Sequence, residues 1–519
     1  MKALAKTQAW RDYAHAVEGA DRRAGQLRIL EAAGLRVDLS AQAWSPQLER
    51  AAAGLLAEQG FFEARSALFD GGPVNWTEDR PAWHTALRSA TPPAGASNEV
   101  LRERMRMRRF VERANSANRY RNVVHLGIGG SDWGPRLTLE SLGSFMNRRT
   151  VRFASNIDAH AIEGALAGLE PHDTLVIVAS KSFTTAEPLA NAKCALEWLR
   201  AGGIKHPYEH LVAVTANHQA AREFGIAEPH IFSLWDWVGG RYSVWSSIGL
   251  PIALGLGLDS YDRMLEGAAA MDEHFHSAEP PANAPLQMAL AAVANRSVLG
   301  FGSLAVAPYD ARLASFIPWL QQLEMESLGK TATRDGSPLD VPAGVAVWGM
   351  PGTDAQHTFF QWLHQDGQGA PVDFILCAQP DHDRDDHHRA LVANCLAQRA
   401  ALLRGKTYGE ALAECRGAGM DEEKAAWLAH HRVHPGGRPS TLIVMPSLSA
   451  YSLGALLALY EHKVFAEGVL WGINPFDQWG VEFGKELAKS ITRQLDDPAS
   501  LSADFDGSTA YWIRELAGR

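Results

Sequence analysis

Leu175–Pro188 reads LVIVASKSFTTAEP, a continuous apolar run that gives way within a few residues to hydroxyls gathered around one lysine. Leu175, Val176, Ile177 and Val178 do not alternate with polar residues, which is the pattern of a parallel strand covered on both faces. Ser180, Lys181, Ser182, Thr184 and Thr185 follow, and Ala186 to Arg200 then reads as a helix. Hydroxyls, one ammonium and the free N–H groups of a helix start together make a cradle for a phosphate. Ser and Thr are also ordinary N-caps, so composition alone leaves both readings open.

Outward from this stretch, Val123–Leu126, Val151–Ala154 and Leu211–Thr215 repeat the same texture, with helical segments between them. That is the signature of βαβ units on a parallel sheet. A second set, Gly302–Ala307, Val345–Val347, Phe374–Cys377 and Leu442–Met445, is again interleaved with helices. Residues 1–118 are rich in Ala, Leu, Arg and Glu and read as helical. Within them Asn75–Arg88 predicts a turn and then a helix start, with Thr77 as cap and Pro81 in the first turn. The expected fold class is α/β, with two mostly parallel sheets flanked by helices. The expected domains are a helical N-terminal extension (1–118), a first α/β domain (119–285), a second (286–490) and a helical C-terminal tail (491–519).

Composition excludes several function classes. The 519 residues are 46% hydrophobic and 21% charged, as in ordinary soluble domains, and the length favours more than one core. No apolar run reaches the ~18 residues of a membrane helix, because Gly and Pro break the best candidate, Ile248–Leu258. The start, MKALAKTQAWRDY, has no apolar signal core, so a cytoplasmic location is expected. Cys194, Cys377, Cys395 and Cys415 form no CxxC pair and are expected to be free thiols rather than zinc ligands. A formal charge of −10 disfavours nucleic acid as a partner. The basic run RERMRMRR, Arg102–Arg109, reads as a solvated helix face.

Several motifs carry potential chemistry. GIGGSDWGP, Gly127–Pro135, follows the first strand, but the third position of a G-x-G-x-x-G frame is Asp132, so the dinucleotide fingerprint fails. Asp158, near the end of the next strand, weakens that exclusion. The glycines still permit close backbone approach to a ligand, with Ser131 adding a hydroxyl, and a plain strand-to-helix turn fits equally. In DWVGGRYSVWSSIG, Asp236–Gly249, Arg241 follows two glycines, with Tyr242 and Trp245 expected to pack around its stem. A fixed arginine stabilises developing negative charge, although a salt-bridged arginine at a domain junction is the commoner case. QQLEMES places Gln322 and Glu326 four apart on one helical face, after Pro318 and before Gly329. This is the arrangement of a general base with a positioning amide, or of an ordinary solvated Glu. His357, in GTDAQHTFFQW, stands where a helix begins, and a lone histidine there is more often a structural donor. Asp381–His388, DHDRDDHH, reads as the charged start of a helix, so no metal is assigned. In NPFDQWGVEFGK, Gln478 and Lys485 lie seven apart, two turns along one face if the stretch is helical, or an ordinary surface pair.

Taken together and in order, GIGGSDWGP, SKSFTT, DWVGGRYSVWSSIG, QQLEMES, GTDAQH and GVLWGINPFDQWGVEFGK resemble the glucose-6-phosphate isomerase family along nearly the whole chain. The two long signatures, around Arg241 and around Gln478–Lys485, are the specific ones. The resemblance implies two sugar-isomerase (SIS) domains and a cytoplasmic homodimer of glycolysis and gluconeogenesis that needs no cofactor. It also implies roles. Glu326 moves the proton between C2 and C1, and Arg241 stabilises the enediolate. Lys485 and a histidine matching His357, contributed across the subunit interface, open the sugar ring. Gly130, Ser131, Ser180, Lys181, Ser182, Thr185, Gln322 and Gln478 hold phosphate and sugar. Two positions depart from the family pattern: Ser182 replaces the usual threonine and keeps its hydroxyl, while Leu328 replaces the usual asparagine. Two other classes compete with this reading. A sugar-phosphate-sensing module would not need Glu326, His357 and Lys485, and a nicotinamide oxidoreductase would have to bind the dinucleotide.

Overall fold

The computed structural model describes residues 4–24, 26–143, 148–497 and 504–517, so part of the expected tail, 498–503 and 518–519, lies outside them. By internal contacts the chain divides into two units, Met1–Pro475 and Phe476–Arg519.

The N-terminal region is mostly helical, with helices Gln8–Glu18, Pro46–Glu58, Phe61–Asp70 and Ala94–Ser116, but it also contributes a hairpin that the composition hides. Strands β1 (Ile29–Ala32) and β2 (Leu35–Ala41) pair antiparallel through Ala33 and Gly34, both at positive φ, the two-residue turn that suits strand twist. In β2 the alternate residues Leu35, Val37, Leu39 and Ala41 are buried, so a period of two sits inside an otherwise helix-rich sequence. The expected helix start at Asn75–Arg88 is corrected. Asn75 bridges to Arg80, and Asn75 Nδ2 donates to Glu78 Oε2 at 2.6 Å. Asp79 takes a positive φ that closes the turn, and a short 3-10 turn, His84–Leu87, begins only after Pro81.

The first sheet comprises β3 (Asn122–Leu126), β4 (Thr150–Phe153), β5 (Thr174–Ala179), β6 (Leu211–Thr215) and β7 (Ile231–Ser233), all parallel, in the order β4-β3-β5-β6-β7. β5 is buried at every position, as its unbroken apolar run requires. The second sheet comprises β8 (Ser303–Tyr309), β9 (Ala346–Gly349), β10 (Val372–Cys377) and β11 (Ser440–Met445), in the order β1-β2-β11-β10-β8-β9, with the hairpin added antiparallel to β11. The four parallel strands thus repeat the winding of the first sheet.

Helix Ala450–Trp471 is buried over nearly its whole length and packs against Leu258–Ser277 and Ala284–Val293. Gly267 and Gly454 let the first pair approach, since a Cβ on either would lie about 2 Å from a carbonyl oxygen of the other helix. The run Arg102–Arg109 is only partly a solvated face: Met107 is buried, Arg104 donates to Ser89 O (2.9 Å), and Arg106 to Ile231 O (2.8 Å). The four cysteines are free. Among the described residues no helix is long and apolar enough to cross a membrane.

Candidate active site

In an open parallel sheet, ligands bind outside the carboxyl ends of the strands where the winding order reverses. In the first sheet that point falls between β3 and β5. Leu126 and Val178 are register partners there, so the loops Gly127–Ser131 and Ser180–Thr185 leave the sheet side by side. The second loop is tightly tied. Thr215 Oγ1 and Ala216 N both donate to Lys181 O at 3.0 Å, and Ser180 Oγ donates to Thr185 Oγ1 at 3.0 Å. Thr185 is the N-cap of helix Ala186–Ala201 but does not cap it with its side chain. Lys181 Nζ donates to the carbonyls of Asp236 (2.8 Å) and Val238 (3.1 Å), and its third N–H has no partner among the described residues. Burial, and then the nearby Arg80 charge, pull its pKa down to about 8.

A second group of residues surrounds Arg241. It lies in the 3-10 turn Gly240–Tyr242 with its side chain 2% exposed. Its Nε donates to Ser327 Oγ (2.6 Å) and its Nη2 to Pro475 O (2.6 Å), while Nη1 stands 3.6 Å from Glu326 Oε2. Tyr242 OH lies 3.2 Å from Ser327 Oγ, and burial raises this phenol to about 12, so it stays neutral. Tyr242 also lies beneath the guanidinium, 5.5 Å from its ring centre, as expected. Trp245 does not pack there. Its ring carries Arg88 instead, at 4.8 Å, and its indole N–H donates to Glu461 (2.8 Å). Both partners belong to a buried ionic cluster with Asp272 that ties the arginine loop to the central helix.

Glu326 ends a π turn, Gln322–Glu326, that continues helix Phe316–Gln321, with Pro318 in the first turn. The four-residue spacing works as expected: Gln322 Nε2 donates to Glu326 Oε2 at 3.0 Å. The glycine loop joins this group to the cradle. A Cβ on Gly129 would lie 2.9 Å from Gln322 Nε2, and one on Gly130 only 2.0 Å from Gly240 O and 2.5 Å from Arg241 N. Ser131 follows at the start of helix Gly130–Leu142.

The remaining candidates are placed differently. His357 ends the 3-10 turn Asp354–His357 and is exposed. Gln478 and Lys485 lie in the second unit, and the expectation that they share a helical face is corrected. The α-helix begins only at Glu482, after a 3-10 turn Trp479–Val481, and Gln478 precedes both, while Lys485 pairs with Glu482 at 2.8 Å. Asp381–His388 leads into helix Asp385–Arg404, with Asp381 paired to Arg312. Among the described residues no three His, Cys, Asp or Glu side chains are grouped to hold a metal ion. Sequence reasoning did not single out Ser327 or the Pro475 carbonyl, which fix the guanidinium. Ser327 stood in the quoted QQLEMES, but a backbone carbonyl leaves no mark in a sequence.

Comparison with known proteins agrees along the whole chain. A family model described as phosphoglucose isomerase matches residues 38–513. The chain is 63% identical over 513 residues to a glucose-6-phosphate isomerase of Bordetella pertussis, covering 99% of this chain and 98% of that one. It is 41% identical to that of Saccharophagus degradans over 528 residues, 99% and 96% of the two chains. A crystal structure of a glucose-6-phosphate isomerase from Chlamydia trachomatis superposes with a TM-score of 0.86 at 29% identity and covers 99% of both chains.

Proposed function

The chain belongs to the phosphoglucose isomerase family, and from that premise we propose how its residues carry out the family's reaction. The enzyme interconverts glucose 6-phosphate and fructose 6-phosphate, the aldose–ketose step of glycolysis and gluconeogenesis. The substrate is a closed ring, so an acid and a base must open it before a carbon-bound proton can move. Ser180, Lys181, Ser182 and Thr185, with the start of helix Ala186–Ala201, hold the phosphate, and Gly130 and Ser131 border it. Gln322 and Gln478 hold sugar hydroxyls. Glu326 takes the C2 proton and returns it to C1, while Arg241 stabilises the negative charge that develops on the cis-enediolate oxygens. Lys485 and the partner subunit's His357 open the ring, within a cytoplasmic homodimer.

One observation carries this reading: the glycine loop at the switch point touches both Gln322 and Arg241, so a sugar anchored by its phosphate beside that loop extends toward the Glu326 carboxylate. The exposed His357 supports its use by another subunit. An amide in place of Glu326 keeps shape but cannot accept a proton. Glu326→Gln is expected to lose isomerisation by more than the ~10² to 10⁴ of one acid–base group, because one carboxylate serves both transfers. The same variant still binds fructose 6-phosphate and exchanges the α and β anomers of glucose 6-phosphate, followed by magnetisation-exchange NMR. Near-normal turnover in it overturns the base assignment.

A further inference from the structure

The π turn that ends in Glu326 holds a second glutamate, Glu324, which is 1% exposed and faces the interior. Helix Ala450–Trp471 brings two charged side chains to it, Lys463 and Glu467, one turn apart and both buried. Lys463 Nζ donates to Glu324 Oε1 at 2.6 Å and to Glu467 Oε1 at 3.0 Å. The other oxygen of each carboxyl, Oε2, is buried and accepts no hydrogen bond from any donor among the described residues. Both glutamates border a small interior cavity together with Asn295, Asp373 and Leu328. Leu328 has no donor to offer, and Asp373 is occupied by the Tyr460 hydroxyl, which donates to it at 2.9 Å.

Two neighbouring carboxylates that share one ammonium in the protein interior disfavour each other's ionisation, and an acceptor left without a donor there is destabilising. A single proton shared by the two carboxyls would remove both penalties. We propose that Glu467 keeps this proton and donates it to Glu324 Oε2, and that the resulting Lys463–Glu324–Glu467 unit positions the π turn carrying Glu326. A single π turn bonds from i to i+5 instead of i to i+4, a rare and short register that side chains packed against it help to select. The residues facing Glu467 agree with a neutral acid: burial, and then the Glu324 carboxylate, raise its pKa well above the ordinary value. Burial alone would lower Lys463, yet Glu324 and Glu467 hold it above its usual range. Asp373 also faces this group: burial raises its own pKa, and its carboxylate helps to raise Tyr460 and Lys463.

The positioning role rests on Glu326 being the base; the shared proton does not. Infrared difference spectra of Glu467→Gln against the native enzyme at mildly alkaline pH test the proton directly. The native protein is expected to show a protonated-carboxyl stretch that the variant lacks, and absence of that difference overturns the shared proton. Glu467→Gln can donate to Glu324 and accept from Lys463, so its kcat is expected to stay within about 3-fold of native. Glu467→Leu cannot, and kcat is expected to fall roughly 10²-fold, the effect of a ~1 Å misplacement, with KM and anomer exchange unchanged. Equal damage in a folded Glu467→Gln, or full turnover in Glu467→Leu, overturns the positioning role. If Glu467→Leu does not fold, the spectra and Glu467→Gln still decide. Normal turnover in Glu326→Gln would remove the base, while the infrared difference would still decide whether the proton is shared.

Discussion

Lys181 shows how burial tunes the charge proposed to meet the phosphate. The loop hides the ammonium among carbonyls, and burial with the Arg80 field brings its pKa to about 8. Only the protonated form pairs with a phosphate, and the phosphate is a dianion above its second pKa of about 6. Binding is therefore expected to be tightest between about 6 and 8 and to weaken as pH rises through about 8, because the lysine then loses the charge that the phosphate needs. The expected signature is an alkaline limb in kcat/KM for fructose 6-phosphate. Lys181→Ala should lose that limb and raise KM roughly 10- to 100-fold, the worth of a charge-assisted contact of ~1.5 to 3 kcal/mol. An unchanged KM in this variant would refute the cradle.

Elements reveal what a sequence can and cannot convey. The strands β3, β5, β6, β8, β10 and β11 were legible because each is buried over nearly its whole length and so reads as a short apolar run, while the half-exposed edge strands β4 and β9 were legible only from a few apolar residues. β7 is three residues long, and the β1–β2 hairpin lies inside an Ala- and Arg-rich stretch, so neither stood out. The π turn was invisible because its hydrogen-bond register is not a matter of residue type, although the Gln322–Glu326 spacing survived it. Spacing misled at Gln478 and Lys485, where the helix starts four residues later than the pattern assumed. Roles for Glu326, Arg241 and His357 came from the resemblance of whole motifs, since one glutamate, arginine or histidine looks like any other. The glycine loop was legible as a close approach but not as to what it approaches. Gly130 meets the backbone of Gly240 and Arg241, which cannot rotate away as a side chain could. Gly130→Ala is accordingly expected to push the arginine turn aside and lower kcat by roughly 10², while the melting temperature changes far less than it would for a core cavity. Unaltered turnover would show that the loop does not set the position of Arg241.

At the scale of the whole molecule the question is where ring opening gets its histidine. The parallel strands of the two sheets share one winding, and in the proposed assignment the residues at the first sheet's switch point and around Arg241 serve as phosphate anchor, base and fixed cation. His357 follows β9 in the second sheet and is exposed, so the proposed assembly uses it in the partner's site. That assignment makes a prediction no single chain could satisfy. Glu326→Gln and His357→Ala homodimers are each expected to be nearly inactive as isomerases. In a mixed dimer, one site combines the Glu326→Gln chain with the partner's defective histidine and carries both lesions. The other site combines an intact Glu326 with an intact partner histidine and carries neither. Mixing the two variants under conditions that exchange subunits should therefore restore activity, up to one working site for each hybrid. If native mass spectrometry shows hybrids forming while activity stays at the level of the parents, the histidine serves its own chain and the shared site is wrong.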